Sequence, residues 1–218
     1  MRVYHFVSRQ YGLDDLRRRR LKIATIDDLN DPFELLALDL SQPQLRSAMR
    51  AVKADFTQRM GLLCFSKTWQ NPVQWSHYAE KHRGLCIVFN VSEDSVRTVS
   101  YKRSRLTSEA QELARTGTTN HDTMIRLLST KFHHWHYEQE VRAFLGLEER
   151  DPESGLFFAD FSDKLKLVGV IVGAESTISK SELQEALGPE YSSIEQFKVR
   201  LAFRTFRVVR QADNSLWA

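Results

Sequence analysis

Apolar residues fall into short runs separated by turn formers, and the spacing within the runs switches between the period of a strand and that of a helix. Val3–Val7 reads as a short opening strand, and Leu13, Leu16 and Leu21 predict a helix over Leu13–Ile23. Leu45, Met49, Val52 and Phe56 recur at helical spacing, with Pro43 near the first turn, so a helix is expected from Ser41 to about Arg59. Gly61–Phe65, Leu85–Phe89, Val96–Tyr101 and the near-continuous apolar run Leu165–Val172 read as strands, the last buried on both faces. Asn71-Pro72 signals the start of a helix that stops before Gly84. Arg103–Arg115 and Asn120–His134 read as two helices broken at Gly117, and Glu138–Leu147 as a strand with Glu138, Glu140 and Arg142 on one face. Ser179 and Glu182 form a capping box for a helix ending at Gly188-Pro189, and Phe197–Val209 is a final strand or hairpin. Strands and helices mix without βαβ regularity. The expectation is an α+β fold with a mixed sheet flanked by helices, a single domain over residues 1–218 with a helical insertion around 103–134.

Composition narrows the class. At 42% hydrophobic and 11% aromatic, the 218 residues can build a sizeable core, which argues against disorder. A net charge of +3 permits a phosphate-bearing partner without demanding one. Cys64 and Cys86 both sit in apolar runs and read as reduced thiols. The first residues carry no signal-peptide pattern and no apolar run approaches the ~20 residues of a bilayer span, so a cytoplasmic protein with no membrane partner is expected.

Four segments bring polar groups to the edges of apolar runs, as a ligand cleft requires. Glu138 and Glu140 suit a site that stabilises a sugar cation, with Arg142 as their charge partner; a solvated ion-pair ladder is the alternative. Tyr4 and His5 open the first strand, and His5 could bond a ribose hydroxyl or an amide. Ser66 ends a buried strand in a hydroxyl. Trp75, His77 and Tyr78 open the next helix; Trp75 and Tyr78, three apart, share a helix face and could either stack a flat ring or pack into the core. Asn30-Asp31-Pro32-Phe33-Glu34 could clamp a substrate or simply form an Asx-turn. Lys198, Arg200 and Arg204 form a stripe suited to phosphate or nucleic acid. His133, His134 and His136 match no metal-ligand spacing, so no metal is expected.

Leu29–Glu34, Cys64-Phe65-Ser66, Trp75–Ala79, Gly84–Phe89 and Tyr137–Arg142 together resemble an uncharacterised bacterial domain family linked to abortive infection in phage defence. More distantly, the layout is similar to that of DNA-targeting ADP-ribosyltransferase toxins. The points of likeness are the tyrosine-histidine strand, the Pro-started helix bearing Tyr78, and Glu140 opening a strand ahead of an apolar one. The resemblance implies an ADP-ribosyltransferase-like split sheet and NAD as substrate. It makes Glu140 the catalytic glutamate with Glu138 as companion acid, and it places His5 and Tyr78 on the cofactor. It also implies a nucleic-acid or protein acceptor and an antitoxin or defence partner. The alternatives are a catalytically inactive sensor on the same scaffold, or a Mg-dependent nuclease built from Asp31, Glu34, Glu138 and Glu140.

Overall fold

A mixed eight-stranded sheet runs through the computed structural model, which describes residues 1–34, 36–116 and 121–217. In chain order the elements are β1 (Arg2–Val7), α1 (Arg9–Arg18), β2 (Arg20–Ile23), α2 (Pro43–Arg59), β3 (Met60–Ser66), α3 (Pro72–Tyr78), β4 (Leu85–Val91), β5 (Arg97–Thr98), β6 (Ser100–Lys102), α4 (Thr107–Thr116), α5 (His121–Leu128), β7 (Thr130–Phe132), β8 (Glu140–Gly146), β9 (Phe157–Asp160), β10 (Leu165–Val172), α6 (Lys180–Leu187), β11 (Glu195–Leu201) and β12 (Val208–Arg210). The fold is α+β. The sheet order is β12-β11-β10-β4-β1-β3-β8-β5, antiparallel except between β10 and β11, which α6 connects. Two-stranded ribbons β2–β9 and β6–β7 flank it.

The pairing is uneven, and this positions the site. β1 pairs with β4 along its whole length, from Arg2 opposite Asn90 to Val7 opposite Leu85, and β3 pairs with β8 from Met60 opposite Gly146 to Ser66 opposite Glu140. Between β1 and β3 a single pair is in register, Tyr4 opposite Ser66. The sheet is therefore two well-laddered halves hinged at one point, and a cleft opens where β1 and β3 diverge.

The main core lies on one sheet face, where Leu13 and Leu16 of α1 and Leu183 and Leu187 of α6 pack on Val3, Ile87 and Val170. Trp75 of α3 anchors a second cluster with Cys86, Val88 and Phe197. α2, α4 and α5 bury Leu45, Met49, Ala110 and Leu127 together. Leu165–Val172 is largely buried as expected, held between β4 and β11. Pro43 opens α2, the Asn71 side chain caps α3 through the Val73 N–H at 2.9 Å, Ser179 caps α6, and β11 and β12 form the C-terminal hairpin.

Several predicted elements differ. The helix expected over Leu13–Ile23 ends at Arg18, because Arg19 turns left-handed (φ 57°) and Arg20–Ile23 pairs with β9 as a strand; Leu21 is apolar for that ribbon and not for a helix face. Val96–Tyr101 is two short strands in different sheets. The helix expected from Asn120 to His134 stops at Leu128, gives way to β7 and then to a 3₁₀ turn, His133–Glu138, so the expected helical insertion holds a strand as well. Gly117 and Asn120, the predicted break and restart, lie outside the described residues. Finally, Glu138 is not on the strand: Gln139 is left-handed (φ 45°) and ends the 3₁₀ turn, so only Glu140 and Arg142 share a β8 face.

Candidate functional site

The cleft between β1 and β3 is a cavity of about 220 Å³, with Tyr4, His5, Phe65, Ser66, Tyr78, Glu138 and Glu140 in its lining. His5 spans the divergence. Its Nδ1 lies 3.0 Å from the Cys64 carbonyl oxygen, so a side chain bonds where a ladder bond is missing. A carbonyl only accepts, so Nδ1 carries the proton; burial lowers the imidazole pKa, and the neutral ring keeps Nε2 as an acceptor.

Glu138 enters from the opposite wall. A 3₁₀ turn followed by a left-handed residue cannot join the ladder, so its carbonyls need other partners. They find them: Asn71 Nδ2 donates to the Tyr137 carbonyl (3.1 Å), Gln74 Nε2 to the Glu138 carbonyl (2.7 Å), and the Lys67 N–H to the Gln139 carbonyl (3.1 Å). Ser66 Oγ also lies 2.7 Å from the Glu138 carbonyl. The Glu138 carboxylate is thereby set against the Tyr78 hydroxyl, which donates to Oε1, and the Lys131 ammonium, 2.7 Å from Oε2.

Glu140 lies deeper. Arg142 Nε donates to its Oε1 (2.8 Å) and Lys131 Nζ to its Oε2 (3.2 Å). Arg142 also grips Glu34, with Nη1 2.8 Å from Oε2, and donates to the Leu128 carbonyl at 2.8 Å. Glu34 arrives on the Asn30–Glu34 loop, whose Asx-turn is made by Asp31 Oδ1 accepting from the Phe33 N–H at 2.9 Å. The result is a chain, Glu34–Arg142–Glu140–Lys131–Glu138–Tyr78, buried in all members but the tyrosine.

The members of the chain differ in protonation. Burial pushes the Glu138 carboxyl up, Lys131 opposes this and Glu140 adds to it, and the balance stays raised. Burial would raise Glu140 too, but Arg142 and Lys131 overcome it and hold the carboxyl at about 2. Burial alone would lower the Lys131 ammonium, yet Glu140 and Glu138 reverse that and raise it. Burial and Glu138 raise the Tyr78 hydroxyl. Three carboxylates (Glu34, Glu138, Glu140) face two cations (Lys131, Arg142), leaving one excess negative charge when Glu138 is ionised and none when it is protonated. Protonation of Glu138, whose carboxyl is held raised by burial, therefore switches the charge of the chain.

The sequence-predicted residues divide clearly. Tyr4, His5, Asn30, Ser66, Tyr78, Glu138 and Glu140 meet at the cleft. Arg142 does not line it but lies behind Glu140 as a structural cation. Asp31 is buried in its turn. Trp75 is 0% exposed, donates to the Trp69 carbonyl at 2.6 Å and packs edge-on to Phe6, so it stacks in the core and offers no face to a ligand. His77 lies outside on the surface, bonded to the Tyr137 hydroxyl at 2.9 Å. Lys198 and Arg200 lie on β11, across β10, β4 and β1 from the β3 wall of the cleft, and Arg204 is in the β11–β12 loop. Lys198 donates to the Ser176 carbonyl at 2.8 Å. Among the described residues, no three His, Cys, Asp or Glu side chains are placed to hold a metal ion.

Lys131 and Gln74 were missed. Lys131 fell inside a stretch whose helical pattern gives no hint of β7. Gln74 is one polar residue on a short helix, and only its burial distinguishes it. Lys131 carried one available signal: it is a cation two residues short of the His133-His134 run that ends the apolar segment.

No curated protein and no solved structure matches the chain. Among the described residues, no helix is long and apolar enough to cross a membrane. Residues 74–143, which carry Gln74, Tyr78, Lys131, Glu138, Glu140 and Arg142 but neither β1 nor β3, match the model of a family described as protein of unknown function (DUF2971), which fits an uncharacterised domain family.

Proposed function

We propose that the cleft receives the nicotinamide riboside end of NAD and that the protein transfers ADP-ribose to a macromolecular acceptor, nucleic acid or protein, in a toxin or anti-phage defence role. The observation that carries this reading is the charge of the buried chain. A site that holds one excess negative charge once Glu138 ionises, walled by Tyr4, Phe65 and Tyr78, suits a flat cationic ring on a sugar. The split between β1 and β3 agrees with the split-sheet architecture that the motif resemblance implies.

In this reaction the bond between ribose C1′ and the nicotinamide nitrogen breaks. Its electron pair leaves with the ring and neutralises the pyridinium, and positive charge develops on the sugar, where the Glu138 carboxylate offsets it. The acceptor oxygen or nitrogen then bonds C1′ and gives its proton to Glu138. The two acids here exchange the roles that the resemblance implies: Glu140, bonded to Arg142 and Lys131, holds Lys131, and Glu138 takes the catalytic place. Tyr78 and Lys131 orient the Glu138 carboxylate, and Nε2 of His5 is available to accept a bond from the carboxamide or a ribose hydroxyl.

The test is incubation of wild type and Glu138→Gln with labelled NAD, DNA, RNA and cell lysate. Label transfer by wild type, falling by about a hundredfold or more in the variant, is the expected result. Equal transfer by both proteins removes Glu138 from the mechanism. The cavity volume favours one second reading: about 220 Å³ encloses less than a whole dinucleotide, since small-molecule pockets run from roughly 300 Å³ upward. A catalytically silent sensor would bind the same end of NAD without turnover and show no label transfer.

A further inference from the structure

The β6–β7 ribbon separates two cavities. The strands run parallel, with Tyr101 in register with Lys131 and Lys102 with Phe132. Side chains alternate along a strand, so Tyr101 and Lys131 occupy one face and Lys102 and Phe132 the other. The first face carries Lys131 to Glu138 and Glu140. On the second face is a separate hollow of about 280 Å³, lined by Phe33, Lys102, Arg103, Arg105, Phe132 and the edge of Lys131 among others.

This hollow differs from the cleft in its charge. Among the described residues of its lining none is acidic. Phe33 and Phe132 stay 50% and 41% exposed, a cost that apolar rings bear where something covers them. Arg105 is pre-positioned, since its Nη1 donates to the Leu36 and Leu38 carbonyls at 2.9 and 3.2 Å and its guanidinium lies 5.1 Å from the Phe33 ring centre. Lys102 and Arg103 are exposed, with no carboxylate bonded to them among the described residues. Arg105 lies over one side of Phe33 and the His134 ring lies 4.7 Å from Phe132, so each ring keeps part of its surface for a ligand. Free cations beside partly exposed rings are the combination that takes a phosphate and stacks a base.

We propose that this hollow is a second binding site, separate from the cleft, for a nucleoside phosphate: the base against Phe33 or Phe132 and the phosphate on Lys102 and Arg103. The hollow is open to solvent on the side of Lys102 and Arg103, so the nucleotide can be free or one unit of a single strand. The proposal does not depend on the reaction assigned to the cleft.

The experiment is calorimetric titration of the full chain with AMP, adenosine, inorganic phosphate and a short single-stranded oligonucleotide. Four proteins are compared: wild type, Lys102→Glu with Arg103→Glu, Phe132→Ala, and Glu138→Gln as the control in the other cavity. All three altered positions at the hollow are solvent-facing, and a thermal melt confirms each fold. AMP is expected to bind wild type and Glu138→Gln alike and to weaken by about tenfold or more in the charge-reversed protein and in Phe132→Ala, with adenosine weaker than AMP. Oligonucleotide binding tighter than AMP identifies a strand as the source; AMP binding alone identifies a free nucleotide. The proposal is overturned if no nucleotide binds at millimolar concentration, if inorganic phosphate binds as well as AMP, or if binding survives charge reversal and is lost in Glu138→Gln, which would put the nucleotide in the cleft.

Discussion

Arg142 bonds two carboxylates and a carbonyl from three parts of the chain, and that makes it a structural residue before anything else. Truncating one partner of a buried ion network strands the others uncompensated, so Arg142→Ala is expected to lower the free energy of unfolding by about 3–5 kcal/mol in urea titration. Glu140→Ala should also destabilise, because it frees Lys131 and Arg142 together. Loss of activity in that variant therefore mixes folding with chemistry, and Glu138→Gln is the cleaner probe. Gln keeps the shape of Glu138 and one carbonyl oxygen to accept from Tyr78 or from Lys131, and burial already pushes Glu138 toward its neutral form. The same raised pKa sets a sign. A cationic ligand gains its attraction only once Glu138 ionises, so affinity for a nicotinamide riboside ligand should rise with pH through a midpoint above the ordinary glutamate value of 4.5. Glu138→Gln should flatten that profile; a wild-type profile that is itself flat there would remove Glu138 from recognition.

At the scale of elements, two local conflicts are resolved by contacts distant in sequence. Gly84 enters β4 beneath β1, where an added Cβ would lie 2.1 Å from the Val7 carbonyl oxygen. That neighbour is backbone and cannot swing aside. Gly84→Ala is expected to cost about 2–4 kcal/mol, seen as a lower melting temperature, and an unchanged melt would show that β1 and β4 can separate at this end. In α1, Asp15 is buried beside Asp14 and Arg20, and burial first, then Asp14, push its carboxyl from the ordinary 3.8 to about 7 against Arg20. The unfolded chain releases that proton near 3.8 while the fold holds it until about 7, so stability falls as pH rises between those values. Asp15→Asn should remove the slope and stabilise the protein by ~4 kcal/mol at pH 8, from ~1.4 kcal/mol per pH unit between 3.8 and about 7. Equal unfolding midpoints for wild type and variant at pH 5 and pH 8 would contradict this.

Over the whole molecule, the two halves of the sheet share one registered pair at Tyr4 and Ser66, so the cleft is a consequence of topology and not of any one motif. Opposite chemistries on the two faces of β6–β7 follow from the same logic, since alternation turns Lys131 of β7 inward and Lys102 of β6, one register step along, outward. At the far end of the sheet, Phe203 and Phe206 on the β11–β12 loop are 90% and 99% exposed. They contribute nothing to the core, and Phe203→Ser with Phe206→Ser is expected to change the free energy of unfolding in urea titration by no more than the ~0.5 kcal/mol typical of each surface position.

Much of the fold was legible along the chain wherever local signals agreed. The α2 periodicity with Pro43 at its start, the Asn71 cap, the Ser179 cap and the apolar β10 run all predicted the elements observed, because caps and periodicity act over a few residues. The polar clusters at Tyr4-His5, Ser66, Tyr78 and Glu138–Glu140 predicted residues that do line one cavity. Three decisions belonged to the tertiary structure. Trp75 and Tyr78 have the same helical credentials, yet the second sheet face claimed the larger ring for the core. The left-handed Gln139 removed Glu138 from its strand and gave the two glutamates different environments, which alternation alone would have made alike. Lys131 became the hinge of the charge network only because β7 pairs with β6 beside the acids. The general reason is that burial and charge pairing depend on neighbours far away in sequence, and these decide both protonation and access.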